Sequence, residues 1–436
     1  MLGARGDGGF HIVQDVFPGE TSNALAIDGG TPVRSAEAPR WPIFDADEIA
    51  SAVATLQSGK VNQWTGGPEG RVHAFERAFA KSLDRPHAIA VTNGTVALEI
   101  MLRAYDIGFG DEVIVTPRSF IASASCVNLV GATPVFADVD LSTEMITPDT
   151  VRPLIGAQTR AIIVVHLHGR PADMPGFMRL ARQHELLVFE DCAQAQGARI
   201  NGRPVGAFGD ASAFSFCHDK ITTTCGEGGM VVFSDHYRWK RAWSYRDNGK
   251  DYDEMQQPHR GGYRSVYAGF GTNARMTEVH AAIGLRQLDK VSAWIAKRAE
   301  NARLLASWLS DYPCVSLCRL PEGFAEAHYR FAFRIDPQRL KPGWNRDRIM
   351  KALIAEGIPC FTGPGPELYL ERAYAAQMRG LPRRPNAAHL GKVSLALHVH
   401  PALDPAFLCD ARAAIRKVFD AASSPADSRD LAAAAQ

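Results

Sequence analysis

The sequence lacks the features that mark several classes of protein. No apolar run reaches the roughly 18–20 residues that a membrane-spanning helix needs. The first residues, MLGARGDGGFHIVQ, contain no continuous apolar core of the kind found in secretory signal peptides. The formal net charge is only +1, so the chain as a whole offers no electrostatic attraction to nucleic acid or to an anionic membrane. These absences predict a cytoplasmic protein without a nucleic-acid or membrane partner.

Cysteine is also sparse, and its spacing excludes the common metal motifs. The eight cysteines are scattered, and no two of them are separated by only two residues. Cys314 and Cys318 come nearest to a ligand pair, but no histidine or cysteine lies close enough in sequence to complete a zinc site. His166 and His168 follow an apolar run with no carboxylate at ligand spacing. We therefore predict no metal site, and free thiols in a reducing compartment.

Length and composition predict a globular protein of two domains. The chain has 436 residues, of which 46% are hydrophobic and 22% are charged. Residues 1–24 and 422–436 are rich in glycine or in alanine and serine, and are predicted to be flexible tails. Between them we assign residues 25–290 to an N-terminal arm and a large domain, and residues 291–421 to a smaller domain.

The pattern of apolar residues indicates the class of fold. Short runs rich in valine and isoleucine suit strands that are buried on both faces; they are HAIAVTN, DEVIVTP, TPVFADV, AIIVVHL and LLVFEDC. Helical sequences separate these runs, so an α/β fold with a mainly parallel sheet flanked by helices is predicted. A long helical pattern at 277–309 leads to a region that alternates strand and helix, which predicts a compact α+β unit.

Distinctive residues stand where several predicted strands end, and sites in such sheets collect at the carboxyl ends of strands. Asn93, Gly94 and Thr95 lead from a strand directly into a helix, where free backbone amides and a hydroxyl can bind an anion; the alternative is a plain helix cap. Phe120 follows the next strand, where an aromatic ring either stacks on a flat heterocycle or packs in the core.

Two ionisable residues complete this group. Asp191 ends an apolar strand, and its carboxylate needs a partner there, either a structural donor or a pyridinium N–H, with Gln194 three residues further on. Lys220 lies between ASAFSF and GEGG, where partial burial near other cations is expected to lower its pKa. A neutral amine attacks an aldehyde to form a Schiff base, and Ser215 can offer its hydroxyl to a phosphate. A phosphate anchor, a ring support, an acid and an imine lysine are the four functions that a pyridoxal phosphate site requires.

The sequence resembles the DegT/StrS-type sugar aminotransferases, which are fold-type I enzymes dependent on pyridoxal 5'-phosphate (PLP). The resemblance extends from about residue 26 to 420 and rests on NGTVAL, TPRSFIASAS, EDCAQAQGA, SFCHDKITTTCGEGGM and GTNARMTEVHAAIGLRQL. It implies that residues 25–290 hold a PLP-binding domain and that Lys220 and Asp191 are the catalytic residues. Lys220 would bind the cofactor covalently, Asp191 would pair with the pyridine nitrogen, Gln194 would contact the phenolic oxygen and Phe120 would stack on the ring. The residues implied to hold the phosphate are Gly94, Thr95 and Ser215.

The resemblance also implies a homodimer, because in this family a neighbouring subunit reaches across to the cofactor. Asn273 is the residue expected to make that contact, although Ala274 stands where the family usually has an aromatic residue. The segment 217–219, Cys-His-Asp, departs from the family pattern just before the lysine. No role follows for it from the sequence.

The function implied is amino transfer from L-glutamate, or glutamine, to the keto group of a nucleotide-linked sugar, in polysaccharide, glycoconjugate or antibiotic sugar biosynthesis. A lysine at position 220 favours amino transfer, since the related sugar dehydratases carry histidine there. The alternatives are a cyclitol (inosose-type) aminotransferase, a PLP-dependent sugar dehydratase and a non-catalytic ligand sensor. Arg246, Asn248 and Lys250 form a basic turn that we interpret as a solvated loop, with diphosphate binding as the alternative.

Overall fold

The structure is a computed structural model and describes residues 24–257, 266–377 and 379–424. Most of both predicted tails, residues 1–23 and 425–436, lies outside these ranges. The described part of the second tail is folded, since the last helix extends to Ala422 and the amide of Ser424 donates to the carbonyl of Arg339 at 3.0 Å. Residues 422–424 thus belong to the folded part of the chain, and the assignment of a flexible tail to the residues after them stays a prediction.

Fourteen strands are formed by the described residues. They are β1 (His87–Val91), β2 (Glu112–Val115), β3 (Thr133–Phe136), β4 (Thr159–Val165), β5 (Leu187–Asp191), β6 (Arg199–Ile200), β7 (Arg203–Pro204), β8 (Ala211–Ser215), β9 (Gly229–Phe233), β10 (Val315–Leu317), β11 (Phe324–Ala325), β12 (Phe331–Ile335), β13 (Cys360–Phe361) and β14 (Ser394–Leu397).

Thirteen α-helices and six short 3₁₀ helices accompany them in the same ranges. The α-helices are α1 (Ala46–Gln57), α2 (Gln63–Gly66), α3 (Arg71–Ser82), α4 (Gly94–Ala104), α5 (Ala122–Leu129), α6 (Pro148–Val151), α7 (Met174–His184), α8 (His236–Arg246), α9 (Tyr252–Met255), α10 (Glu278–Leu309), α11 (Arg346–Ala355), α12 (Pro385–Val393) and α13 (Pro405–Ala422). The 3₁₀ helices are Ala26–Asp28, Arg152–Leu154, Leu167–Gly169, Pro337–Arg339, Leu368–Leu370 and Arg372–Tyr374.

The main sheet has seven strands in the order β1-β9-β8-β5-β4-β2-β3. Strand β9 runs antiparallel to both of its neighbours, and every other neighbouring pair is parallel. Alternate residues of a strand point to opposite faces, and both faces are covered here: Ile89 and Val91 pack in one core cluster, whereas Ala88 and Ala90 pack in another beside α3. The predicted α/β fold with a mainly parallel sheet flanked by helices is confirmed.

A second, antiparallel sheet of four strands, β10-β12-β14-β13, lies in the C-terminal part of the chain, where α11 and α13 share a core with it. A third, small sheet joins β11 to β6 and β7. Helix α10 passes through residue 290 without interruption, so the predicted limit between the two domains falls inside a helix. The division into 25–290 and 291–421 stays a prediction.

None of the helices in the described ranges is both long enough and apolar enough to cross a membrane.

Candidate active site

The carboxyl ends of β1, β5 and β8 open onto a cavity of about 600 Å³. These strands are parallel, so residues that follow them in distant parts of the sequence meet at one edge of the sheet. The predicted cofactor residues that line the cavity are Gly94, Thr95, Phe120, Asp191, Gln194, Ser215 and Lys220. Asn273 is not part of this lining and lies on an exposed segment that pairs with Asp247. Its contact with a partner subunit's cofactor stays a prediction.

The start of α4 forms one wall of the cavity. Asn93 caps this helix, and its side-chain oxygen accepts from the amide of Val96 at 2.9 Å. Asn93 is therefore a helix cap, which was one of the two alternatives for this segment. The first backbone amides of a helix have no carbonyl acceptor within the helix, so those that the cap leaves unpaired can bind an anion. A Cβ atom on Gly94 would lie 2.7 Å from the Cβ of Ser215, so only glycine lets the end of β8 approach the helix this closely. The helix start and the Ser215 hydroxyl together make a phosphate-sized cradle.

Asp191 is the last residue of β5 and is only 4% exposed. Its Oδ2 accepts from the hydroxyl of Ser123 at 2.7 Å, and its Oδ1 accepts from the amide of Ala193 at 3.1 Å. Burial raises the pKa of the Asp191 carboxyl, and these two hydrogen bonds offset only part of the effect. A cation such as a pyridinium N–H beside it would favour the charged form. Ser123, on α5, was not predicted, because nothing in sequence links it to a residue 68 positions away.

Phe120 lies between β2 and α5, and its ring is not in the core. It is 68% exposed, and it lines both this cavity and a neighbouring one. The alternative that the Phe120 ring packs in the core is therefore wrong, and the exposed ring is able to stack on a flat ligand. Gln194 lines the same two cavities, and its side-chain oxygen accepts from the amide of His168 at 2.7 Å. This bond orients the Gln194 amide so that its NH₂ group remains as a donor.

Lys220 lies in the loop after β8, with its side chain 18% exposed. Its Nζ is 3.0 Å from Oδ1 of Asp219 and 3.5 Å from the hydroxyl of Tyr329. Burial lowers the pKa of Lys220, but the charges and hydrogen bonds of Tyr329 and Asp219 outweigh burial and hold this pKa above its usual range. The predicted lowering of the pKa is wrong for the cofactor-free chain, because the nearest partners are an anion and a hydroxyl instead of cations.

The loop that carries Lys220 is also fixed from the N-terminal arm. The indole Nε1 of Trp41 donates to the backbone carbonyl of Lys220 at 2.9 Å. The Trp41 ring stacks on His400 and meets Trp294 edge to face. The arm therefore holds the backbone of the lysine in place, a contact that joins segments 179 residues apart.

A second cavity, of about 560 Å³, continues from Lys220 toward the C-terminal sheet. It shares Phe120, Gln194 and Lys220 with the first cavity and adds residues of the C-terminal part of the chain. These added residues include Tyr329, Arg330, Phe361 and Gly363. The amine of Lys220 thus stands between two connected spaces, one suited to a cofactor and the other to a substrate.

In the basic turn at the end of α8, Asn248 is exposed, but both cations are buried, so the interpretation as a solvated loop is wrong for Arg246 and Lys250. Arg246 is fully buried; it donates to Oε1 of Glu76 at 3.1 Å and to the carbonyl of Ala90 at 3.4 Å. Lys250 is 8% exposed, and its ammonium lies 4.2 Å from the centre of the Trp64 ring. Periodicity could not reveal this burial, because both cations are covered by residues from the N-terminal third of the chain.

A carboxylate does lie beside His166, contrary to the inference from sequence spacing. Oε2 of Glu190 is 3.1 Å from Nε2 of His166, and the thiol of Cys192 completes a group of three possible ligand atoms. However, Glu190 already accepts from the amides of Gly206 and Gly209 at 2.7 Å each. This group is a buried hydrogen-bond network that ties the end of β4 to β5 and to the loop between β7 and β8. The absence of a metal site stays a prediction.

The residues present fit pyridoxal phosphate. The start of α4, at Gly94, offers amides to the phosphate, and the buried Asp191 carboxylate, whose pKa is raised by burial, can pair with a protonated ring nitrogen. An exposed aromatic ring and a lysine amine face the same space. The individual roles assigned to these side chains remain predictions that the variants below address.

Comparison with known proteins agrees with this chemistry. A profile of the DegT/DnrJ/EryC1/StrS aminotransferase family matches residues 42–415. The chain is 36% identical over 346 residues to the L-glutamine:2-deoxy-scyllo-inosose aminotransferase of Streptomyces kanamyceticus, covering 78% of this chain and 80% of that protein. It is also 36% identical over 343 residues to the UDP-N-acetyl-3-dehydro-alpha-D-glucosamine 3-aminotransferase of Acidithiobacillus ferrooxidans, covering 77% and 85%.

A solved aminotransferase from Psychrobacter cryohalolentis superimposes with a TM-score of 0.85 and 43% identity, over 88% of this chain and 99% of that one. The expected fold-type I architecture, aminotransferase class and PLP dependence are confirmed. The chain therefore belongs to the DegT/DnrJ/EryC1/StrS family of PLP-dependent aminotransferases.

Proposed function

We propose that the protein transfers the amino group of L-glutamate or L-glutamine to the keto group of a nucleotide-linked sugar. The observation that carries the proposal is the position of the Lys220 amine between two connected cavities. One cavity has the groups that PLP needs, and the other has polar, charged and aromatic groups around a space of about 560 Å³.

When bound, PLP supplies an electron sink for breaking the C–H bond next to an amino group. Gly94, Thr95 and Ser215 would hold its phosphate, and Asp191 would keep its ring nitrogen protonated. Phe120 would cover the ring and exclude water from that face. These assignments use the residues that line the first cavity.

Lys220 is the group placed to move protons. When its amine is free, Nζ would take the proton from the α-carbon of the donor as a general base. In the return half-reaction, Nζ delivers a proton to the former keto carbon of the acceptor. A single amine that faces both cavities can serve both steps.

Arg330 is proposed to bind a carboxylate of the amino donor. It lies immediately before β12, in the lining of the second cavity. Its guanidinium packs between the rings of Phe361, at 4.6 Å, and Tyr329, at 5.2 Å, and its NH1 donates to Nδ1 of His398 at 2.9 Å. Burial and the nearby arginines lower the pKa of His398 to about 3, so this ring stays a neutral acceptor. A guanidinium fixed in this way matches a carboxylate with little loss of side-chain entropy.

We expect Arg330→Met to raise the KM for L-glutamate about tenfold to hundredfold, the loss of one charge-assisted contact of roughly 1.5–3 kcal/mol. The reaction of the pyridoxamine form with the keto acceptor should change less than threefold, because the acceptor lacks the donor's carboxylates. Absorbance of the cofactor in separate half-reactions measures both. Arg412→Met, at an exposed position of α13, is the matched control. An equal loss in both half-reactions would contradict the assignment.

A keto cyclitol is the second candidate acceptor, and the comparisons give it specific support. The Streptomyces kanamyceticus relative is named for 2-deoxy-scyllo-inosose, and the Acidithiobacillus ferrooxidans relative for a UDP-linked keto sugar. Both are 36% identical to this chain, so identity does not separate the two acceptor classes.

The deciding experiment presents the pyridoxamine form of the enzyme with a panel of nucleotide-linked keto sugars and with scyllo-inosose and 2-deoxy-scyllo-inosose. We expect the PLP absorbance to return with at least one nucleotide-linked keto sugar. If only the inososes restore the PLP absorbance, the acceptor is a cyclitol and not a nucleotide-linked sugar. Suppose that glutamate or glutamine converts the enzyme to the pyridoxamine form, but that no acceptor restores the PLP absorbance. That result would overturn both proposed acceptor classes.

We also propose that the enzyme is a homodimer with its sites at the interface. Asn273 is exposed and outside the cavity of its own chain, and the ring of Phe270 on the same segment is fully exposed. A partner subunit that covers this segment would bury the apolar ring and bring Asn273 to a second cofactor. Sedimentation at micromolar concentration tests this, and a monomeric, fully active enzyme would contradict it.

A further inference from the structure

The segment Cys217-His218-Asp219 immediately precedes Lys220, and its third residue contacts the lysine amine directly. We propose that Asp219, with Tyr329 as its partner, is a positioning residue that receives the Lys220 amine whenever it is free and stabilises its ammonium form beside the substrate. The inference rests on the proposed amino transfer, a cycle in which the lysine amine is released and recaptured.

The geometry divides the two oxygens of Asp219 between two donors. Oδ1 accepts from Nζ of Lys220 at 3.0 Å, and Oδ2 accepts from the hydroxyl of Tyr329. That hydroxyl is itself 3.5 Å from Nζ, so the amine, the carboxylate and the phenol form a closed triangle. Tyr329 is held in turn by its amide, which donates to the carbonyl of His168 at 2.9 Å. A carboxylate fixed at both oxygens presents a defined position to the amine.

The triangle joins the two halves of the site. Asp219 lies in the loop after β8 and lines both cavities, whereas Tyr329 lies just before β12 and lines only the second. The lysine amine can therefore leave the cofactor space and meet a prepared partner at the mouth of the substrate space. In this position Nζ faces the second cavity, where the donor is proposed to bind.

The charges around the triangle keep Asp219 ionised when the lysine is elsewhere. Arg330 places NH2 at 3.6 Å from Oδ2 of Asp219, so one cation remains while Lys220 is bonded to the cofactor. Burial raises the pKa of Asp219, but Lys220, Tyr329 and Arg330 outweigh burial and lower it overall. Among the described residues, the Asp191 carboxylate and the Cys217 thiol also interact electrostatically with Lys220. The anionic form of Asp219 is thus favoured in the cofactor-free chain, and Arg330 is the cation that continues to favour it when Lys220 is bonded elsewhere.

The consequence for the reaction follows from proton balance. When Nζ takes a proton from the donor α-carbon, a neutral amine becomes an ammonium, and the nearest anion is Asp219. Stabilising this cation makes Lys220 a stronger base in the first step, and the same ammonium later gives its proton back. Removing the carboxylate should therefore slow proton transfer without changing how tightly the donor binds.

The test starts from the apoenzyme and Asp219→Asn. Covalent capture of pyridoxal by Lys220 requires the neutral amine, so the pH midpoint of the capture rate reports the pKa of this lysine. We expect the midpoint to fall by about one to three pH units in the variant, the usual effect of losing an opposite charge at this distance. Tyr329→Phe should shift the midpoint in the same direction by less than one unit. Asp253→Asn, which breaks the exposed pair with Lys240, should leave it unchanged.

The reconstituted variants give a second readout. With L-glutamate, Asp219→Asn should lower the maximal rate of the half-reaction about tenfold to hundredfold, with less than a threefold change in KM. An unchanged capture midpoint in a folded Asp219→Asn protein would overturn the proposal, as would a loss confined to KM. If the asparagine variant does not fold, the Tyr329→Phe midpoint decides alone. The capture of pyridoxal needs neither an amino donor nor a keto acceptor. If the midpoint shifts but no acceptor of the panel restores the PLP absorbance, only the proposed function is refuted.

Discussion

Lys220→Ala is expected to abolish covalent attachment of PLP and to lower amino transfer by at least about 10²–10⁴-fold, the usual contribution of a positioned general acid or base. The amine of Lys220 is the cationic group that faces both connected cavities, among the residues described. Borohydride reduction followed by intact-protein mass spectrometry measures attachment. The wild-type protein should retain the mass of the cofactor, and the variant should not.

The matched control is Lys297→Ala, on α10, where the ammonium pairs with Glu300 at 3.0 Å and lies outside both cavities. This variant should keep the attached cofactor and its activity within twofold. Turnover of Lys220→Ala at the wild-type rate would remove the basis for every catalytic assignment made above.

Asp191→Asn is expected to slow the half-reaction with L-glutamate by about 10²–10³-fold, comparable to the loss of one preorganised group that stabilises charge in a transition state. Asparagine is almost the same size as aspartate and can still accept from the Ser123 hydroxyl, but it cannot hold a pyridine nitrogen protonated. Stopped-flow absorbance of the cofactor measures the rate. Asp210→Asn is the control: this carboxylate, half-buried outside the cavities, accepts from the amide of Val188 at 2.8 Å. It should leave the rate within twofold, and a similar loss in both variants would contradict the assignment.

The same substitution should stabilise the protein when the cofactor is absent. Burial raises the pKa of Asp191, so the folded chain binds this proton more tightly than the unfolded chain does. The contribution of Asp191 to stability is therefore full below about pH 3.9 and is lost as pH rises through the raised pKa. Asparagine carries no such charge, so the melting temperature of the apoenzyme at pH 7 should rise relative to wild type. The difference should shrink at acidic pH, and a variant less stable at pH 7 would contradict this account.

The strands and the long helix could be predicted because their signals are local. The apolar runs at β1–β5 are buried on both faces, and the helical pattern at 277–309 matches α10 to within one residue. Gly94, Asp191 and Lys220 could be predicted to share a cavity for the same reason: each lies at or after the carboxyl end of a strand, and parallel strands bring these ends to one edge.

The rest of the site depends on contacts between distant segments, which carry no local pattern. Tyr329 meets Lys220 across 109 residues, and its packing with Asp219 reverses the direction in which the lysine pKa was expected to move. Arg246 shows the same limit, since its charge suggested a solvated surface while its partner Glu76, 170 residues earlier, lies in the interior. Such pairs become visible only when the chain is folded.

The 32 residues of α10 form one uninterrupted rod about 48 Å long. Its first residue, Glu278, is buried against the amides of Arg71 and Val72, and its last turn, at Leu305 and Leu309, is embedded in the C-terminal core. A hinge motion between the two ends would have to bend this rod. We therefore expect access to the space beside the lysine to depend on the shorter segments at its rim, such as the one that carries Gly363 and Gly365.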